Sequence, residues 1–333
     1  MVARFPQNPV LDATKIPYES RQVFNAGVCK FKGKYIMVFR NEVGITPTGW
    51  SHGENNVRTV LGVADSDDGI HWVPRETPWE LPDQIVSSDP EFIRFYDPRL
   101  TVIEDRCYLC FAIDTRHGLR GGIAVTDDFV NFEILSMSVP DDRNMVLFPE
   151  RIDGKFVRLE RPMPVYSRSK AEAFDIWLSK SPDCRYWGEN KLVLGAEQVP
   201  FANSKIGPAA PPVKTSEGWL TTFHATYKDM ERNLKGWETS VWPTSVWHKE
   251  YMGGLMLLDL KDPSKVIGMA AQPLLKATES YELDGFRGSV IFPGGMLLED
   301  NGEVKIYYGA ADTVECLATA KVDDLLRMID IRM

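Results

Sequence analysis

The chain has no apolar run near the roughly 18 residues that a membrane-crossing helix requires. Its first residues, MVARFPQNPV, lack the apolar core of a secretion signal. A cytoplasmic location is therefore expected. Cysteine is scarce: five residues, at 29, 107, 110, 184 and 316, form an odd and scattered set, which excludes a disulfide framework. Cys107 and Cys110 make a C-x-x-C, but on a strand positions i and i+3 face opposite ways. No second Cys/His pair completes a zinc set, so no metal is expected and the cysteines read as core. Positive charge is not in excess either. The formal net charge of -9 argues against nucleic acid or an anionic membrane as partner. No Pro/Gly/Ser linker divides the chain and sustained helical periodicity is nearly absent, so residues 1–333 read as one all-β domain. The sequence is compatible with a homo-oligomer.

What is present is a repeat. Five segments rich in β-branched and aromatic residues read as central strands: GKYIMVFR (33–40), DRCYLCFAID (105–114), GKFVRLERP (154–162), EGWLTTFHAT (217–226) and GEVKIYYGAAD (302–312). Each is followed by a strand running into an Asp-led turn: VADSDDGIHW (63–72), VTDDFVNFE (125–133), LSKSPDCRYWG (178–188), LLDLKDPSKVIG (257–268) and TAKVDDLLRM (319–328). Asp and Ser bond their own backbone in such turns. Five units over 333 residues leave about 65 each, room for four strands. The expectation is a five-bladed β-propeller with a central active-site pocket, and a β-sandwich is the alternative.

In an acidic protein, any bound anion needs a local cationic pocket. The segment 140–162 carries Arg143, Arg151, Arg158 and Arg161. Strand alternation sends Arg158 and Arg161 to opposite sides, so one stretch cannot aim all four at one point. Arg143, at a strand start, and Arg161, before Pro162 at a strand end, suit a propeller's funnel. Lys205 joins them from SKIGPAAPPVKT, where three prolines stiffen the backbone and lower the entropy lost on binding an anion. His224, near the end of the following strand, adds a donor with a tunable pKa. For acid chemistry the candidate is Asp97 in FYDPRL. Pro98 biases it to an extended conformation at a strand start, and Phe95 and Tyr96 are expected to desolvate it and raise its pKa. Asp312 is a second, ambiguous carboxylate. Each of these residues also has a plain structural reading as an ion pair, a turn or a core histidine.

The segments FNAGVCKFKGKYIMVFR, YDPRL, RNMVLFPERIDGKFVRLERP, LSKSPDCRYWG, KIGPAAPPVKTSEGWL, LLDLKDPSKVIG and YYGAADT resemble the β-mannoside phosphorylases of glycoside hydrolase family 130, in order and over nearly the whole chain. The resemblance implies a five-bladed propeller that cleaves a terminal β-mannosidic bond with inorganic phosphate as co-substrate. Inversion would give α-mannose 1-phosphate, with no cofactor. It implies Asp97 as the general acid, acting through the mannosyl 3-hydroxyl. It further implies Arg143, Arg161, Lys205, His224 and Tyr251 as the phosphate site, and Asn25, Arg58, Tyr96, Asn144 and Asp312 as the mannosyl site. Ala26 stands where relatives often carry a serine.

Phosphate is itself the nucleophile, so one acid and a set of cations suffice, whereas an inverting hydrolase needs a second carboxylate to activate water. A mannoside hydrolase of the same fold and a non-catalytic sugar-binding propeller are the competing readings. FNAGV, RNEVG and RGSVIFPGGM (287–296) differ from forms associated with β-1,4 enzymes, which leans the expected substrate towards β-1,2-mannobiose or oligomannan. The alternatives are β-1,4-mannosyl-glucose, -N-acetylglucosamine and -mannose. Trp50, Trp237, Trp242 and Trp247, in two long loops, read as sugar-stacking platforms or as packing between loops.

Overall fold

The computed structural model describes residues 1–44, 58–79, 89, 91–166, 168, 172–229 and 249–333. Their strands build five antiparallel sheets. After β1 (Ala3–Arg4), blade 1 holds β2 (Gln22–Phe31), β3 (Lys34–Val43), β4 (Arg58–Ser66) and β5 (Val73–Pro74). Blade 2 holds β6 (Phe92–Ile103), β7 (Arg106–Thr115), β8 (Gly118–Thr126) and β9 (Glu133–Met137). Blade 3 is β10 (Asp142–Leu147), β11 (Phe156–Pro162), β12 (Ile176–Ser181) and β13 (Gly188–Leu194). Blade 4 contains β14 (Ile206–Pro208), β15 (Val213–Lys214), β16 (Trp219–Lys228), β17 (Lys249–Leu258) and β18 (Val266–Met269). Blade 5 contains β19 (Ile291–Leu298), β20 (Glu303–Ala310) and β21 (Val314–Lys321), and β22 (Ile331–Arg332) follows. The expected propeller is present, and no helix among the described residues is long and apolar enough to cross a membrane.

The five repeated strands are β3, β7, β11, β16 and β20, each next to its blade's innermost strand. Alternation decides what they bury. In β10, Val146 packs into the wedge shared with blade 4 while its neighbour Leu147 packs towards blade 2. Five apolar clusters fill the five inter-blade wedges, and each fully buried Leu or Phe contributes roughly 1.5–3 kcal/mol. β1 pairs with β21, Ala3 opposite Thr319, so the chain's start supplies the outer strand of blade 5. β22 likewise extends blade 4, Gly268 opposite Arg332.

The Asp-led turns share one bonding pattern in four blades. Asp68, Asp128, Asp183 and Asp259 each use Oδ1 to accept two backbone N–H bonds from the turn that follows. The fifth unit differs from expectation. After β21 the segment Val322–Arg327 is a short helix, because VDDLLR places Leu325 and Leu326 where a helical turn sets them against blade 5. The five cysteines are buried thiols, with Cys29 and Cys107 sulfurs 3.8 Å apart across the first wedge.

One arginine ties the centre together. Arg99 is 3% exposed. Its guanidinium donates to the carbonyls of Ala209 at 2.6 Å, Pro98 at 2.7 Å, Asn25 at 3.3 Å and Pro293 at 3.4 Å, which belong to blades 4, 2, 1 and 5. The propeller axis is thus plugged by a cation bonded to four blades.

Candidate active site

A pocket of about 90 Å³ has a described lining that includes Asn25, Arg40, Tyr96, Asp97, Arg143, Asn144, Arg161, His224, Tyr251 and Asp312. Most of the expected site residues therefore meet at one place, although they come from all five blades. The local device that delivers them is a break in the innermost strand. Pairing slips between Phe24 and Gly27, between Tyr96 and Arg99, and between Arg143 and Val146. At these breaks Asn25, Asp97 and Asn144 adopt φ of 53°, 52° and 59°, and Asp312 in the turn after β20 adopts 50°. Asn and Asp tolerate this left-handed region better than other side-chain-bearing residues, and a bulge re-aims its side chain out of the ladder. Asp97 is accordingly in the middle of β6 and left-handed, where the sequence predicted an extended residue at a strand start. A following proline disfavours the right-handed helical region, and the bulge selects the left-handed one.

Asp97 Oδ1 accepts a 3.0 Å bond from Asn25 Nδ2 and lies 3.3 Å from Arg40 Nη1. Burial pushes its carboxyl up, but Arg40, Arg99, the Asn25 bond and Arg143 outweigh burial and hold it below its ordinary value. The raised pKa predicted from Phe95 and Tyr96 is thus corrected: the decisive neighbours are the cations Arg40, Arg99 and Arg143. Asp312 is raised, by burial first and then by the Asp97 and Glu42 charges, against Arg287 and Arg40. Its Oδ2 accepts from Arg287 Nη1 at 3.4 Å.

Facing these carboxylates is a cluster of like charges. Arg143 Nη1 donates to the Tyr96 hydroxyl at 3.1 Å, and Tyr96 donates to Asp114 at 2.6 Å. Arg161, 1% exposed, donates to His224 Nε2 at 2.9 Å, which leaves the imidazole neutral with its proton on Nδ1. Gly207 permits this approach, since a Cβ there would stand 2.4 Å from the His224 ring. Burial and then Arg161, Lys205 and Arg143 keep the His224 pKa well below its usual value. Burial and Arg143 lower the Arg161 pKa to about 9. Lys205 bonds Tyr251, which raises its pKa, but burial, Arg161 and Arg143 prevail and bring it to about 8. Tyr251 also falls to about 8, burial being outweighed by Lys205. Arg143 Nε, Arg161 Nε, Asn144 Oδ1, Asn25 Oδ1 and His224 Nδ1 have no hydrogen-bond partner among the described residues. Crowded cations with unspent donors are the signature of a site built to receive an anion.

The four arginines of 140–162 do not converge: Arg158 and Arg161 take opposite faces of β11, and Arg151 lies in the connection between β10 and β11. Arg151 pairs on the surface with Glu104 at 2.9 Å, and Arg158 pairs with Glu160 at 2.6 Å on the other side of blade 3. Two expected residues are not part of the pocket lining: Lys205, which reaches it through its bond to Tyr251, and Arg58, which begins β4 opposite Val43 and is exposed. Its position follows from the strand pairing, which sets it at the outer end of the β3–β4 hairpin. Trp50, Trp237, Trp242 and Trp247 lie outside the described residues.

Sequence reasoning missed Arg40, Arg94, Arg287 and Phe292, which also line the pocket. Arg40 and Arg94 stand 4.9 and 4.8 Å from the Tyr96 ring centre. The signal for Arg40 was available, because an arginine inside the apolar run YIMVFRNEV requires a buried partner. Glu42 provides it at 2.5 Å.

A family model described as beta-1,4-mannooligosaccharide phosphorylase matches residues 2–331. The chain is 32% identical over 337 residues to the beta-1,4-mannooligosaccharide phosphorylase of Ruminococcus albus, covering 98% of this chain and 90% of that one. It is 29% identical over 274 residues to the beta-1,2-mannobiose phosphorylase of Listeria innocua, covering 82% and 69%. The solved structure of beta-1,2-mannobiose phosphorylase from Listeria innocua, in complex with beta-1,2-mannobiose, superposes with a TM-score of 0.79 at 24% identity, covering 99% of both chains.

Proposed function

Because this chain belongs to glycoside hydrolase family 130, we propose that it is an inverting β-mannoside phosphorylase. It would release α-mannose 1-phosphate from the non-reducing end of a short β-mannoside. The observation that carries the reading is the pair Arg143 and Arg161 lining one small pocket with Asp97, backed by Lys205 through its bond to the pocket residue Tyr251. A phosphate held by these cations attacks the anomeric carbon from the face opposite the leaving oxygen. The carbon–oxygen bond breaks, and the leaving oxygen takes up the proton that Asp97 supplies through the mannosyl 3-hydroxyl. Tyr96, Asn25, Asn144 and Asp312 hold the mannosyl unit. The lowered pKa of Asp97 fits this sequence of events. Arg143 is among the cations that keep Asp97 ionised, so a bound phosphate dianion offsets that charge and lets the acid take up its proton as the nucleophile arrives.

Arg161→Ala is expected to raise the KM for phosphate about a hundredfold, the ~3 kcal/mol of a charge-assisted bond. Unchanged phosphate dependence would remove Arg161 from the site. The pH dependence has a stated sign. Above about 8, Lys205 loses its positive charge and Tyr251 gains a negative one, so phosphate affinity should fall between pH 8 and 9, measured as phosphate KM at constant ionic strength. A flat profile over that range would contradict the assignment of Lys205.

The relatives divide between linkages. We put β-1,2-mannobiose or oligomannan first, from the sequence forms at 24–28 and 287–296, with β-1,4-linked mannosides as the alternative. Reverse phosphorolysis with α-mannose 1-phosphate and mannose, glucose or N-acetylglucosamine reads activity and linkage together. A hydrolase is the second reading, favoured by one observation: Asp312 lines the same pocket as Asp97. Phosphate-independent release of mannose would select it. In either case the expected location is cytoplasmic.

A further inference from the structure

A second cleft, of about 550 Å³, opens between blades 2 and 3, from the inner strands β10 and β11 to the outer strand β13. Asp142, Arg158, Glu160, Trp177, Trp187 and Asn190 are the lining residues that define its chemistry. Strand alternation explains how it arises. Asp142 and Glu160 immediately precede Arg143 and Arg161, so the same two strands send their guanidinium groups into the axial pocket and their carboxyl groups into this cleft.

The arrangement is costly for a merely structural one. Asp142 is 9% and Glu160 6% exposed. Asp142 Oδ1 has no hydrogen-bond donor among the described residues, and burial, then the Glu160 charge, push the Asp142 carboxyl well above the usual range. The Asp142 carboxyl can therefore offer a hydroxyl donor, beside Glu160, which Arg158 pairs at 2.6 Å. Arg158 is held over Trp187, 4.1 Å from its ring centre, and Trp177 pairs beside Glu160 across β11 and β12. Buried acids lining a cleft make it a candidate binding site. The acid pair repels anions, and so many polar groups would be stranded under an apolar peptide. A neutral polyol with one apolar face satisfies the whole set.

We propose that this cleft is a second carbohydrate-binding site, for a β-linked manno-oligosaccharide, separate from the axial pocket. The proposal rests on the mannoside-phosphorylase reading above. Its test is calorimetric titration of the Asp97→Asn protein with β-1,2- and β-1,4-mannotriose, without phosphate and with tryptophan fluorescence recorded. Two sites per chain are expected for one of the two sugars. Trp177→Ala in that background should leave one site and abolish one component of the fluorescence change. Asn190→Trp, which fills the mouth of the cleft from the exposed outer strand, should weaken the second site at least tenfold even if Trp177→Ala fails to fold. One site or none in the parent protein, two sites surviving in a folded Trp177→Ala variant, or an undiminished second site in Asn190→Trp, overturns the proposal. The functional reading fails separately, if the unsubstituted protein phosphorolyses no β-mannoside.

Discussion

Asp97→Asn is expected to lower kcat for a natural β-mannoside on the order of a thousandfold, within the usual range for loss of a general acid. The substitution is isosteric, and its amide oxygen still accepts from Asn25 and Arg40, which approach the aspartate at 3.0 and 3.3 Å. What disappears is the transferable proton. A diagnostic contrast follows: a nitrophenyl β-mannoside, whose leaving oxygen departs without protonation, should lose far less. Circular dichroism and thermal melting would show the propeller intact. Normal turnover of mannobiose by this variant would end the assignment of Asp97, and equal losses on both substrates would move it from acid to sugar binding.

Arg99→Met carries the largest expected effect on stability. The guanidinium is bonded to carbonyls of blades 1, 2, 4 and 5, and methionine fills comparable volume without a donor. Removing it also takes a neighbouring charge from Glu315, which is fully buried. Burial pushes that carboxyl up to about 8, against the Ala26 N–H bond and Arg99. Leaving a buried polar network half-satisfied costs about 3–5 kcal/mol, an amount that approaches the whole stability of many domains. Guanidinium denaturation should show a correspondingly earlier midpoint, with Arg99→Lys falling between the two. An unchanged midpoint would show that the axis does not depend on this residue.

Some of this was legible before any coordinates. The alternation of apolar residues and the Asp-led turns are local features, set by backbone geometry over a few residues, and they correctly indicated five blades. The same local logic separated Arg143 and Arg161 from Arg151 and Arg158. It failed at TAKVDDLLRM, where a strand-to-turn reading met a helix, because packing against blade 5 overrode the turn propensity of the aspartates. Arg58, a candidate only through the family resemblance, has its place set by pairing with Val43.

The protonation of the site belongs to the tertiary structure alone. Asp97 looked like a carboxyl wrapped in aromatics, yet the groups that control it are Arg40, 57 residues away in sequence, and Arg143 from the next blade. Composition, strand period and turn chemistry determined the architecture and nominated the cations, since each acts within a few residues. Which charges face one another, which residues turn left-handed to reach the axis, and where a second cleft opens were decided only on closing the propeller. Electrostatic interaction depends on distance through space, and distance along the chain does not report it.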